Sequence, residues 1–405
     1  MPPRLLITNG VLALPGGPRR ADILCGGHRV VAIGRDLEAH GVATFNAHGL
    51  TLGPGFVDVH VHGGGGHSFF GSDPAAVEAY SAWAPRNGVT GFLVSTVGRS
   101  APETERVLEG LRPAIGLAAG AEPLGFHLEG PFINPLRKGA FHPGMLHEPD
   151  RHEFLRYQEA ARGLIRQVTV APELPLAIDV IAAAAVSGAI PAMGHTDATV
   201  AQARAGFEAG VRHVTHLYNA MRPLHQREGG PSVAALLEDS VTCEIICDGA
   251  HVAPDVLRMA YRILGPNRTV VVTDNLHIAG TGAGAGRFGG EDVEVSGGKA
   301  ARADGTIVGS VLTMDQHFRN VQEFLGVDVA TAFRLCATNP SRIAQAADRK
   351  GSLSRGFDAD VVMLDAGCNV VATLCRGEVA YLAEPGRGPA MPGDAQSRLW
   401  TKRTN

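Results

Sequence analysis

With 405 residues, of which 45% are hydrophobic and 19% charged, the chain has the composition of a globular protein large enough for one big domain and a smaller one. Its net charge of −4 and lack of a Lys/Arg-rich run give no electrostatic footprint for nucleic acid. No stretch reaches the roughly 18–20 apolar residues of a membrane helix.

Residues 1–50 read as short strands with turns between them: RLLITNGVLAL, ADILCGG and HRVVAIG. Asn9, Gly10 and a Pro-Gly-Gly turn interrupt the apolar start, so it reads as strand and turn, not as a signal segment. A different grammar follows. Apolar runs rich in β-branched residues alternate with Ala/Leu/Glu/Arg stretches of helical period, as in βαβ units. Eight such runs stand at 56–61, 90–95, 124–129, 167–171, 190–194, 211–216, 243–248 and 269–274. Eight buried parallel strands with helical crossovers predict an α/β protein, a closed (β/α)₈ TIM barrel, over residues 53–349. Residues 286–310 read as a β-hairpin excursion after the eighth run. The stretch 351–385 returns to short strands, so residues 1–52 and 350–388 are expected to pair into one small β-sandwich built from both chain ends. The Pro/Gly-rich then polar tail, 389–405, is expected to be loosely ordered. The six cysteines contain no C-x-x-C pair, which argues against a disulfide framework or thiolate zinc site and for a reducing cytoplasm.

The chemistry-bearing residues fall at the ends of these runs. His60 and His62 close the first and, two apart, project to the same face. Glu129 ends the third, His195 follows the fifth, His216 ends the sixth and Asp274 ends the eighth. Barrel enzymes carry their chemistry at the C-terminal ends of their strands. A lone His there is more often structural, but six metal-competent side chains at five strand ends point to a metal centre. Imidazole and carboxylate without thiolate suit Zn or Fe. Periodicity leaves open whether His213 or His216 is the ligand, and His216 is chosen as nearer the strand end. His67 reads as a loop residue, and Cys243 and Cys247 as small core residues. The loop at 219–230 carries Asn219, Arg222, His225 and Arg227, either as a solvated basic loop or as a clamp for a phosphate dianion.

These motifs together, PGFVDVHVHGGGG (54–66), HLEGPF (127–132), GHT (194–196), THLYNAM (215–221), DGAH (248–251), VTD (272–274) and GSVLTM (309–314), resemble the amidohydrolase superfamily. Within it the chain resembles the N-acetylglucosamine-6-phosphate deacetylase family, over nearly its whole length. The resemblance implies hydrolysis of an N-acetyl amide on a phosphorylated amino sugar by a cytoplasmic homodimer using one or two divalent ions per chain. Glu129, His195 and His216 would be metal ligands, with Glu129 as ligand or bridge, and His60 and His62 could hold a second ion. Asp274 would be the general base and acid. Asn219 and Ala220 match phosphate contacts, Arg227 matches an arginine reaching across the dimer, and His251 matches a substrate contact. Leu312 and Met314 fall in the stretch lining the sugar pocket.

The chain departs from the family pattern in two places. Lys138-Gly139-Ala140-Phe141 stands where the run usually ends in a carbonyl-polarising His, with His142 one place later. Asn275, Leu276 and His277 follow Asp274 where small or apolar residues are usual. Ala140 and Phe141 thus belong to the expected substrate subsite, while the roles of His142, His225 and His277 stay open. So do the number of metal ions and the sugar, with N-acetylgalactosamine 6-phosphate as the alternative. A non-enzymatic barrel-shaped assembly protein is the reading from another class, disfavoured because no expected ligand is missing.

Overall fold

A computed structural model describes residues 4–38, 41–98, 100–117, 120–288, 291–384 and 400–401. Eight parallel strands form its centre: β1 (Phe56–Asp58), β2 (Val89–Thr96), β3 (Glu122–Glu129), β4 (Ile165–Val170), β5 (Ile190–Met193), β6 (His213–Val214), β7 (Thr242–Ile246) and β8 (Thr269–Val272). They are hydrogen-bonded in sequence order. Every expected run overlaps one of them. Both faces of these strands are covered, one by the barrel interior and one by helices, so β2 and β3 are buried at all eight positions. That coverage explains the continuous apolar runs.

The barrel closes just beyond the ends of β1 and β8. The Asp274 amide donates to His60 O and the His62 amide to Asn275 O, each at 2.9 Å. Val61 and Asn275 form a parallel bridge, and Thr273 Oγ1 donates to Asp58 Oδ2 at 2.6 Å. This seam brings both histidines of the first motif next to Asp274. Outside it, Phe56, Phe318 and Phe333 pack ring on ring at 4.8–5.8 Å, and side chains of this size each contribute roughly 1.5–3 kcal/mol on full burial.

Several outer helices begin where the sequence supplies a cap. Asp73 accepts from the Ala75 amide ahead of Pro74–Trp83, and Thr199 forms a capping box with Gln202 ahead of Val200–Ala209. No described helix is long and apolar enough to cross a membrane.

Strands from both chain ends join one further sheet, in the order 378–382, 370–375, 361–364, 51–54, 4–12, 19–26, 29–34. The ends meet where Val361–Leu364 pairs antiparallel with Thr51–Pro54. A separate apolar core including Ile7, Ile23, Phe45, Leu52, Val361 and Leu374 lies within this sheet. Of the tail, Trp400–Thr401 pairs with Phe45 and Thr44, and the rest of 389–405 lies outside the described residues. The excursion after β8 is larger than the hairpin expected. It is a four-stranded antiparallel sheet over 285–288, 291–296, 299–301 and 307–310. Its inner face packs Val293, Ala300 and Val308 on Leu276 and Ile278 beside the barrel mouth.

Candidate metal centre and active site

The C-terminal ends of the strands deliver six side chains to one point. Glu129 Oε1 lies 3.0 Å from His216 Nε2, 3.2 Å from His195 Nε2 and 3.3 Å from His60 Nε2. Glu129 Oε2 lies 3.1 Å from His62 Nε2. Asp274 Oδ1 is 3.5 Å from His60 Nε2 and 3.4 Å from His62 Nε2. Two triplets result, Glu129/His195/His216 and His60/His62/Asp274, each with its donor atoms within 4.8 Å of one another. The Glu129 carboxylate faces both. Each of the six residues is no more than 9% exposed.

The outer partners of the histidines determine what this cluster can bind. His195 Nδ1 donates to Arg137 O at 2.8 Å, His62 Nδ1 to Ser95 O at 3.1 Å and His60 Nδ1 to Glu244 Oε2 at 2.9 Å. A carbonyl or carboxylate only accepts, so the proton of each neutral imidazole sits on Nδ1 and a lone pair on Nε2. Those lone pairs face the two carboxylates, and His195 Nε2 also stands 3.0 Å from His216 Nε2. With the imidazoles neutral, such an array of acceptors suits cations between its members. Donors placed about 2.0–2.2 Å from a tetrahedral ion stand about 3.3–3.6 Å apart, close to the separations seen. The residues therefore fit a divalent metal with nitrogen and oxygen ligands.

The same field acts on protonation. Burial by itself lowers an imidazole, but at His60 the charges of Glu129, Glu244 and Asp274 outweigh it and hold the group well above its usual range. His62 is pushed up to about 9 against burial by hydrogen bonds with Asp274 and Glu129. Burial raises Asp274, yet the His60 charge and the His62 hydrogen bond hold it below its ordinary value.

Backbone strain marks the site. His195 (φ 47°), His216 (φ 26°), Tyr218 (φ 77°), Ala220 (φ 49°) and Asp274 (φ 50°) all take left-handed conformations without being glycine. Each costs of order 1–3 kcal/mol, and such residues collect where side chains must be aimed. Next to His195, Gly194 has no room for a side chain, since a Cβ there would lie 2.7 Å from Thr215 Cβ.

A cavity of about 300 Å³ opens over the cluster. His62, Glu129, His195, His216 and Asp274 line it, with Ala140, Phe141, Asn219, Ala220 and His251 from the expected substrate set. His251 is held by Asp248, whose Oδ2 accepts from its Nδ1 at 2.6 Å. Other expected residues lie elsewhere. Met314 starts a helix and is packed in the barrel core, so it does not line the cavity, and neither does Leu312. His225 and Arg227 stand exposed on the loop after β6. Arg222 is bound to Asp197 through Nη2 at 2.7 Å and Nε to its carbonyl at 2.8 Å, as a loop brace. His142 is exposed and accepts from the Gly144 amide through Nδ1, whereas Phe141 faces the cavity with its ring edge-on to His195 at 5.3 Å. His277 lines the neighbouring cavity. His213, the rival to His216, turns its Nε2 to Glu244 at 3.0 Å.

Sequence reasoning missed the layer beneath the cluster. Glu244 is fully buried, and besides His60 and His213 it accepts from Gln167 Nε2 at 2.8 Å and the His216 amide at 2.9 Å. His127 is fully buried between Ser95 Oγ and Thr169 Oγ1. The signal was present: Glu244 is a carboxylate inside the apolar run CEIICD, ahead of the Asp248 that ends it, and His127 shares a strand face with Glu129.

The comparisons with known proteins agree with this geometry. The profile of the Amidohydrolase family matches residues 51–380. The chain is 35% identical to an N-acetylglucosamine-6-phosphate deacetylase of Bacillus subtilis (strain 168), over 82% of this chain and 85% of that one. It is 32% identical to an N-acetylgalactosamine-6-phosphate deacetylase of Escherichia coli O157:H7, over 81% and 87%. The crystal structure of N-acetyl-D-glucosamine-6-phosphate deacetylase from Mycobacterium smegmatis superposes with a TM-score of 0.86 at 34% identity, covering 94% of this chain and all of that one. With its barrel, its two metal-competent triplets and a match spanning most of its length, the chain belongs to the metal-dependent amidohydrolase family.

Proposed function

We propose that the chain hydrolyses N-acetyl-D-glucosamine 6-phosphate to D-glucosamine 6-phosphate and acetate. The observation that carries this reading is Asp274 within one of two adjoining triplets, with Glu129 of the other facing both, beneath a cavity that Asn219, Ala220 and His251 also line. Divalent metal held by Glu129, His195 and His216, and by His60 and His62, would supply Lewis acidity to the attacking water and the amide carbonyl. Asp274 takes a proton from the water as its oxygen attacks the carbonyl carbon. The same carboxyl then passes that proton to the nitrogen as the C–N bond breaks, because an amine anion is a very poor leaving group. Phe141 keeps bulk water from the acyl side, and Asn219 and Ala220 hold the phosphate end.

Zinc or iron suits the nitrogen and oxygen donor set. The facing of Glu129 to both triplets supports two ions per chain. A homodimer is supported by the loop after β6. Arg227 is exposed there beside Leu224, 54% exposed, and Asp197 ties this loop to the one carrying Leu136, 78% exposed. The described cysteines are all free, which supports a cytoplasmic setting. The division into a catalytic barrel over 53–349 and a second domain from both ends is supported by their separate apolar cores.

The galactosamine epimer is the second reading, favoured by the Escherichia coli relative. An acetate-release assay over N-acetylglucosamine, N-acetylgalactosamine and their 6-phosphates tests both. The proposal predicts the highest kcat/KM for the glucosamine 6-phosphate derivative, and a higher value for the galactosamine 6-phosphate derivative would replace it.

A further inference from the structure

A second cavity, of about 720 Å³, adjoins the one over the metal centre. The two share Phe70, Ala140, Phe141 and Phe288, whereas Asn219, Ala220 and His251 line only the smaller. The shared rings are packed on the site itself. Phe70 stacks on His62 at 5.1 Å, Phe288 meets Phe70 edge-on at 5.2 Å, and Phe141 meets His195 at 5.3 Å. They form an aromatic collar between the reacting centre and the larger cavity.

We infer that this larger cavity receives the acyl side of the substrate, so that the enzyme cleaves straight-chain N-acyl groups longer than acetyl. The inference rests on the deacetylase reading, which fixes the direction of the substrate. With the amino-sugar phosphate towards Asn219, Ala220 and His251, and the carbonyl carbon beside Asp274, the remaining carbonyl substituent points at the collar. A methyl group stops there. A longer chain passes between the rings and buries its methylenes against Val97 and Met145, which line only the larger cavity. Beyond the collar the lining is mixed, with Glu103, His142, His277 and Arg287 beside these two apolar side chains; Arg302 is committed to Glu291 at 2.6 Å and to Ala140 O at 2.9 Å, so a neutral chain lies along the Val97 and Met145 side. The reaction balances as before: water adds to the carbonyl carbon, the C–N bond breaks, and the products are the longer carboxylate and the protonated amine.

The test compares N-acetyl-, N-butyryl- and N-hexanoyl-D-glucosamine 6-phosphate with the metal-loaded enzyme, reading amine release. The longer substrates should keep kcat/KM within tenfold of the acetyl compound or exceed it, by up to about fourfold per methylene buried. A loss greater than tenfold at butyryl, with acetyl turned over, overturns the inference and leaves the deacetylase reading standing. No turnover of any of the three overturns both. Met145→Trp, which narrows only the larger cavity, should cut hexanoyl turnover at least tenfold and leave acetyl turnover within twofold. Any smaller or unselective loss shows that the chain does not enter there.

Discussion

His60 Nδ1 and Glu244 Oε2 lie 2.9 Å apart with both side chains fully buried, so the histidine after β1 is aimed from beneath by a carboxylate on β7, two strands away round the barrel. Burial would raise the Glu244 carboxyl, but the His60 charge and hydrogen bonds from His213 and His60 hold it well below its usual range. The carboxylate fixes the His60 tautomer and, through the His216 amide, the start of the loop carrying a second ligand. Glu244→Gln should therefore weaken metal retention and kcat by about 10–100-fold, the usual effect of losing an outer partner of a metal-binding His. Metal content after dialysis against a graded chelator checks it, and unchanged retention would make Glu244 a packing residue only.

Asp274→Asn should lower kcat by roughly 10²–10⁴-fold, the range for losing a positioned acid–base group. Because Asp274 Oδ1 also faces His60 and His62, metal content should fall as well, with at least the ion of the Glu129/His195/His216 triplet retained. A near-normal kcat would move the base to another residue.

All eight barrel strands and the six residues that meet at the candidate metal centre could be read from the sequence because burial on both faces leaves unbroken apolar runs, and those six side chains sit where the runs end. Glu244, Gln167 and His127 escaped because each lies inside a strand, where a polar residue resembles a local defect until the closed barrel brings three of them together. Met314 was misplaced for the opposite reason: a motif match said nothing about its helix turning that side chain into the core. The four-stranded excursion was underestimated because turns such as Gly297-Gly298 and Asp304-Gly305 are short and the strands between them hold only three to six residues.

The junction of barrel and terminal sheet carries a pH response. Lys350 Nζ lies 2.6 Å from Asp360, 3.0 Å from Glu122 and 3.3 Å from Asp358, and Arg349 bonds Glu122 at 2.7 Å. Burial raises Glu122, but the Arg349 hydrogen bond and the Lys350 charge bring it from 4.5 to about 2. Its folded pKa is depressed, so its contribution to stability is complete above about pH 4.5 and is lost as pH falls towards 2. Lys350→Met leaves three buried carboxylates short of a cation and should cost about 3–5 kcal/mol. Denaturant midpoints of parent and variant at pH 7 and pH 3 check both statements: the parent should weaken with acid, and the gap should narrow.

Arg227→Ala should raise KM for the 6-phosphorylated sugar much more than for the unphosphorylated one. The expected loss is about 1.5–3 kcal/mol, as for a hydrogen bond to a charged group. Within one chain Arg227 is exposed and does not line the cavity, so its effect should depend on the dimer. Sedimentation at assay concentration together with the two KM values checks this. A monomer, or equal losses on both substrates, would leave Arg227 without a role in phosphate binding.

The number of metal ions is the final point to test, and here Phe141 and Glu129 bear on the same question. Phe141 can donate no hydrogen bond, yet its ring lies against His195 inside the cavity, so nothing at that position polarises the amide carbonyl. His142 cannot replace it from where it stands, exposed and accepting from the Gly144 amide. Metal is then the expected source of polarisation, and Glu129, with Oε1 near His195, His216 and His60 and Oε2 near His62, faces both triplets. Fully loaded protein should contain about two ions per chain. A His60→Ala/His62→Ala double variant should fall towards one ion and lose most of kcat. His142→Ala should stay within a few-fold of the parent. Elemental analysis paired with kcat on the three proteins decides it: one ion in the loaded parent, with a collapse in His142→Ala, would assign the carbonyl to His142 and a single metal to the site.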